Sequence, residues 1–194
     1  MRKLLMVLVV LALAVPMARG AGGLGVFGSY WDMKDADDAA LGGGIKFKME
    51  MMPQICLEMR ASYLQEFGER PLEDANIVPL EADVVIDFPL VPDVLTIYGG
   101  GGGGYYIMPE FEASEALGLS DEPDIDPDDT FGFYVVGGAE LQLNEQVALF
   151  GEVKYTWLEI DELEVDGESI DLADFDAELD LTGIGFNAGL LLKW

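Results

Sequence analysis

Apolar and polar residues alternate with a period of two through eight segments of roughly 8 to 14 residues. The alternation predicts strands at Leu24–Trp31, Leu41–Glu50, Ile55–Leu64, Ile77–Phe88, Val94–Ile107, Phe131–Leu143, Val147–Leu158 and Thr182–Trp194. In the last segment Ile184, Phe186, Ala188, Leu190, Leu192 and Trp194 share one face, and Gly183, Gly185, Asn187, Gly189, Leu191 and Lys193 the other. The connectors alternate in length. Asp32–Ala40, Gln65–Asn76, Met108–Thr130 and Glu159–Leu181 span 9, 12, 23 and 23 residues, whereas Met51–Gln54, Pro89–Asp93 and Asn144–Gln146 span 4, 5 and 3. Long links at one end and short turns at the other predict an all-β, eight-stranded antiparallel up-and-down transmembrane β-barrel. Strands of ~9–11 residues tilted by ~45° suit a bilayer.

The same alternation fits a secreted lipocalin-like barrel with its apolar face inward and a ligand pocket inside. Charge separates the two. With the polar face inward, the lumen collects Lys46, Lys48, Glu50, Glu58, Arg60, Glu81, Asp83, Asp87, Glu140, Glu152, Lys154 and Lys193. A soluble barrel carrying a large acidic excess would keep its few bases on the surface. A closed membrane barrel holds them inside in ion pairs, since an isolated buried charge costs several kcal/mol. Tyr30, Trp31, Tyr63, Tyr105, Tyr106, Phe131, Phe133, Tyr155 and Trp157 lie near strand ends that lead into the long loops, and are expected to form an interfacial girdle.

The chain begins with a different pattern. Met1-Arg2-Lys3 is a short positive stretch, Leu4 to Val15 an uncharged apolar run, and Ala18-Arg19-Gly20 a small-residue cut site. Twelve residues of helix cover only ~18 Å of a ~30 Å hydrocarbon core. Residues 1–20 therefore read as a signal peptide cleaved before Ala21, with residues 21–194 forming the barrel domain and the outer membrane as destination. The mature chain keeps seven basic residues against 37 acids, a formal charge of −30. Such a charge speaks against nucleic acid. The absence of His removes imidazole catalysis and most zinc sites. Cys56 is the only cysteine, so no internal disulfide is possible and no lipid-anchor Cys follows the cut.

The final residues, Asn187-Ala188-Gly189-Leu190-Leu191-Leu192-Lys193-Trp194, resemble the C-terminal signal of bacterial outer-membrane proteins. Asn187, Gly189, Leu192 and Trp194 match its polar, glycine, antepenultimate apolar and terminal aromatic places. With the eight alternating segments, the chain is similar to the small OmpA/OmpX-like eight-stranded barrels. Ala139 to Tyr155 looks most like two strands of that family joined by a periplasmic turn. The resemblance implies a lumen plugged by ion pairs, contact with membrane lipids and lipopolysaccharide, and recognition by the outer-membrane assembly machinery. The peptidoglycan-binding domain of full OmpA has no counterpart here, so no cell-wall tether is implied. A monomer is expected.

Gly99–Gly104 is a run of six glycines between Tyr98 and Tyr105. With no following helix and no Lys it is not a phosphate loop; in a barrel strand it permits curvature and close packing. Gly23 to Gly28 matches G-x-G-x-x-G by spacing alone. The two longest loops carry nine and eleven acids and no base, and the four long loops together 28 of the 37 acids. Asp124, Asp126, Asp128 and Asp129 present oxygen ligands at a spacing that suits Ca²⁺, though Asp129 and Val135 stand where an EF-hand has Gly and Glu. The run reads first as a solvated charge face, with diffuse divalent-cation binding and no other cofactor. Glu162 to Leu172 alternates around Asp166-Gly167, a hairpin signature that extends strands seven and eight beyond the membrane. An edge there suits a partner that adds a strand.

These features predict a structural or surface-interaction barrel without enzymatic activity. A narrow, weakly cation-selective porin is the nearest alternative, because eight strands leave an interior that side chains just fill.

Overall fold

The computed structural model describes residues 21–34, 39–66, 76–107, 125–127, 130–160, 162–165, 168–171 and 179–194. The predicted signal peptide lies outside them. Eight strands form a closed barrel: β1 (Gly22–Met33), β2 (Ala40–Met52), β3 (Ile55–Glu66), β4 (Asn76–Val91), β5 (Leu95–Ile107), β6 (Thr130–Asn144), β7 (Val147–Trp157) and β8 (Gly183–Lys193). Each strand pairs antiparallel with its sequence neighbours, and β1 closes on β8 from Gly23↔Lys193 to Met33↔Gly183. Closure satisfies the backbone without leaving an edge, the condition for crossing lipid with strands.

All eight strands lie where alternation places them, and the differences are at their ends. β4 runs on to Val91 because pairing with β5 continues past Pro89, with a register shift between Pro89 and Val91. Similar shifts stand at Glu50/Met52 and Gln142/Asn144, so each short turn carries an irregularity. Two of these turns use left-handed residues, Gln54 (φ 69°) and Asp93 (φ 61°). In the third, the Asn144 side-chain oxygen accepts from the Gln146 and Val147 amides at 2.9 and 3.0 Å.

Thirty large apolar side chains are exposed among the described residues, nearly all on the outward row of each strand. Inside, Lys46 and Glu58 are fully buried and Arg60, Glu81, Asp83, Glu140, Glu152 and Lys154 nearly so. This inverts a soluble protein and matches a barrel set in hydrocarbon. The expected aromatic girdle needs one correction. Tyr30, Tyr63, Tyr105, Phe131, Phe133, Tyr155 and Trp157 face outward, but Trp31 and Tyr106 are 2% and 0% exposed and stack inside with ring centroids 5.7 Å apart. The period-two rule forces this, since each directly follows an outward tyrosine.

Beyond the barrel, Glu159–Ile160 pairs with Leu179–Asp180, continuing β7 and β8 past their ends. The Asp-Gly hairpin appears as Glu162–Val165 paired with Glu168–Asp171. Its first strand also pairs with Ile125–Pro127 from the other long acidic loop. Chain alternation gave no hint of this third strand.

Candidate functional site: the charged lumen

The lumen side chains come from alternate positions of β2, β3, β4, β6, β7 and β8, which closure turns toward one another. Glu152 of β7 is the hub. Its carboxylate accepts from Lys46 Nζ at 2.5 Å, Arg60 Nη2 at 3.2 Å, the Tyr98 hydroxyl at 2.8 Å and Asn187 Nδ2 at 3.3 Å. Arg60 also bonds Glu58 at 2.5 Å and pairs with Asp83, whose Oδ2 accepts from the Tyr134 hydroxyl at 2.9 Å. Lys46 reaches Glu58 at 3.4 Å and sits 3.9 Å from the Phe150 ring centroid.

Two outlying groups join this centre. Toward the short turns, Lys48 pairs with Glu140 at 2.5 Å and Asp87 at 3.0 Å, and Lys193 bonds Glu140 at 3.2 Å and the Gln142 side chain at 2.9 Å. Toward the long loops, Lys154 pairs with Glu81, which also accepts from the Tyr106 hydroxyl at 2.9 Å. All five lumenal bases thus have carboxylate partners, and apart from Asp87 and Lys193 the groups are nearly fully buried. Charge-assisted bonds at these distances offset much of the cost of burying the ions, and within the centre Glu58 Oε1, Asp83 Oδ1 and Arg60 Nε are left without a hydrogen-bond partner among the described residues.

Apolar residues complete the interior. Trp31, Met33, Ala40, Leu64, Ile77, Tyr106, Leu158 and Leu181 cluster at the long-loop end, above the Lys154–Glu81 pair. Cys56, Val85, Tyr98, Tyr134 and Val136 form a second cluster, and Phe27, Ala148, Phe150 and Leu191 a third. Inward glycines make the space. A Cβ on Gly138 would lie 2.7 Å from the Tyr98 ring, and one on Gly102 2.0 Å from the Ala82 carbonyl oxygen.

Eleven of the twelve charged residues assigned to the lumen by sequence are brought together. Glu50 is the exception: it is exposed at the turn end of β2 and joins none of the ion pairs among the described residues. Its strand has reached the rim there, one residue before the register shift. Sequence reasoning missed the hydroxyls of Tyr98, Tyr106 and Tyr134. Their parity was the available signal, since Tyr134 shares the inward row with Glu140. Of the aspartates proposed for Ca²⁺, Asp126 lies on the Ile125–Pro127 strand, and Asp124, Asp128 and Asp129 fall outside the described residues. At the closing strand, Trp194 exchanges backbone bonds with Gly22 at 3.0 and 3.3 Å and packs on Phe47. Asn187 and Gly189 face the lumen side, and Leu192 faces out.

A closed antiparallel barrel with an aliphatic exterior and a paired-ion interior is the architecture of a transmembrane β-barrel protein. The outer membrane protein beta-barrel domain family matches residues 4–190, and the chain belongs to it. No curated protein sequence matches the chain. Among solved structures it is similar to the outer membrane protein OprG from Pseudomonas aeruginosa, with 15% identity, a TM-score of 0.66, and 90% of this chain and 96% of that one covered. Neisserial surface protein A gives 12% identity and a TM-score of 0.62, covering 90% and 96%. Ail, the attachment invasion locus protein of Yersinia pestis, gives 13% and 0.55, covering 90% and 99%. At these identities the likeness is one of fold.

Proposed function

We propose that this outer-membrane barrel is sealed and non-catalytic, and that it acts as a structural or surface-interaction protein through its acidic long loops. The observation that carries the reading is the filling of the lumen. The ion-pair centre built on Glu152 and Arg60 lies beneath an apolar collar whose members are 0–7% exposed. A conducting path would have to break several charge-assisted bonds and displace Trp31 and Tyr106. The three-stranded sheet built from the two most acidic loops supports a recognition role at the external end. Its register sets Glu164 beside Asp126 and Ser169, and Glu162 beside Asp171.

The remaining parts of the reading follow from charge and sequence. The first twenty residues direct export and are removed. Asn187, Gly189, Leu192 and Trp194 address the chain to the assembly machinery. Membrane lipid surrounds a monomeric barrel, and the loops meet anionic lipopolysaccharide through diffusely bound divalent cations, with no nucleic acid involved.

Planar-bilayer recording of the refolded barrel tests the seal. Wild type is expected to be silent, and the Arg60→Ala/Glu152→Ala double variant to show openings. Large stable steps from wild type overturn the sealed reading, and small cation-selective steps replace it with a narrow porin.

A further inference from the structure

Glu58 and Arg60 lie on the same face of β3 and turn inward, and Asp83 of β4 is the direct register partner of Glu58. An arginine side chain donates from both Nη atoms and from Nε. The Nη donors of Arg60 are matched. Nη1 bonds Asp83 Oδ2 and the Tyr134 hydroxyl at 3.3 Å, and Nη2 bonds Glu58 Oε2 at 2.5 Å and Glu152 Oε1 at 3.2 Å. The Nε donor has no partner among the described residues, and neither does the second oxygen of each flanking carboxylate, Glu58 Oε1 and Asp83 Oδ1.

These are three of the five buried side-chain atoms without a hydrogen-bond partner among the described residues, and they belong to one guanidinium and the two carboxylates it holds. The side chains of Glu58, Arg60 and Asp83 are 0, 1 and 0% exposed, so bulk solvent does not reach them. A buried polar group left unmatched forfeits its hydration, and most such groups in folded proteins find a partner. Each free atom is joined covalently to an engaged one. Oε1 shares its carboxylate with Oε2, Oδ1 with Oδ2, and Nε its guanidinium with both Nη atoms. The bonds already made therefore gather all three into one shell a few ångströms across. On the other side of Asp83, β5 places Gly102 in register, and that strand brings no side chain over the carboxylate.

One N–H and two carboxylate oxygens are the complement of a single water molecule, which accepts once and donates twice. We propose that the lumen holds one integral water here, bridging Arg60 Nε, Glu58 Oε1 and Asp83 Oδ1. Three hydrogen bonds are about the usual number for a buried water. The same set of atoms disfavours other small occupants. A metal cation would meet the two oxygens but also the positive Nε–H, with Lys48 Nζ only 3.8 Å from Glu58 Oε1. That spacing is an ion pair's and is too long for a hydrogen bond, so Lys48 does not satisfy the oxygen. A halide or phosphate would meet Nε–H but also two anionic oxygens. With the water in place, β3 and β4 are locked together at the height where closure brings in Glu152 of β7. The site rests on the sealed lumen proposed above, which keeps the water from exchanging freely with solvent.

The test is nuclear magnetic cross-relaxation between water and the refolded barrel. Arg60 and Arg70 are the only arginines after residue 20, so labelling arginine Nε with nitrogen-15 gives two signals, and Arg70→Lys identifies that of Arg60. The Arg60 Nε proton is expected to show a cross-peak to a water that tumbles with the barrel. Absence of that cross-peak overturns the proposal. So does a coupling through a hydrogen bond from Nε–H to the Glu58 or Asp83 carboxyl carbon, which would show the side chains closing directly on one another. A cross-peak only to water exchanging as freely as bulk also overturns it. Bilayer recording of the same preparation then separates the two readings, since a silent barrel keeps its seal and a conducting one loses it as well. Arg60→Met/Asp83→Leu removes the donor and one acceptor together with both charges, and buried pairs replaced jointly by apolar residues often keep the fold. Oxygen-17 relaxation dispersion should count one long-lived water fewer in that variant than in wild type, and an equal count overturns the proposal. If the variant does not fold, the wild-type cross-peak decides alone.

Discussion

Glu152→Ala is the sharpest probe of the lumen. The substitution removes the 2.5 Å partner of Lys46, the 3.2 Å partner of Arg60, and the acceptor for Tyr98 and Asn187. Arg60 keeps Glu58 and Asp83, whereas Lys46 keeps only Glu58, at 3.4 Å. Leaving one buried charge so weakly paired costs roughly 3–5 kcal/mol. For an unfolding slope of about 2 kcal/mol per M in urea, the midpoint falls by about 2 M. The assay is urea unfolding of the lipid-refolded barrel, followed by loss of β-sheet circular dichroism. Lys46→Met on the same background removes the stranded charge. The double variant should then be less destabilised than the sum of the singles by about 0.5–3 kcal/mol. A midpoint that moves by less than about 0.3 M in Glu152→Ala, or strict additivity in the cycle, would refute the claim that these pairs hold the lumen together.

Three further outcomes follow from the same structure. The refolded protein should resist SDS in the cold and change mobility on boiling; solubility in plain buffer without such a shift would contradict the apolar exterior. Gly102→Ala drives a Cβ into the Ala82 carbonyl and should prevent folding, whereas Gly151→Ala, with open space around it, should stabilise the detergent-solubilised barrel by about 0.5–1 kcal/mol. Equal folding yields for the two would show that the inward glycines are not needed for strand approach. Trp194→Asp should fold in detergent but fail to reach the outer membrane in cells, while Trp194→Phe should do both; normal cellular assembly of the Asp variant would remove the terminal residue from the assembly signal.

Some of the interior could be read from the chain and some could not, and the same residues mark the boundary. Lys46, Lys48 and Arg60 announce themselves because they are three of only seven bases after residue 20, and they fall on the polar parity of adjacent strands. Trp31 and Tyr106 have the height of girdle residues near the long loops but the inward parity, and parity decides the face. Glu50 has the right parity but the wrong height, since its strand ends at the rim. For the loops, the Asp-Gly turn is a local signal and locates the hairpin. The third strand, Ile125–Pro127, has no local signal, because what makes it a strand is the partner it meets.

The number of strands, the face set by parity, the end at which the long loops gather and the inward turn of the charged face are all legible in the chain. These are consequences of a two-residue period and of loop length, both local properties of the chain. Which charges meet is set by the closure of the barrel. Lys46 and Glu152 stand 106 positions apart and on strands that are not neighbours. They touch because closing β1 on β8 at one fixed register sets the stagger around the barrel. That stagger is a property of the whole ring of strands and is written in none of them alone.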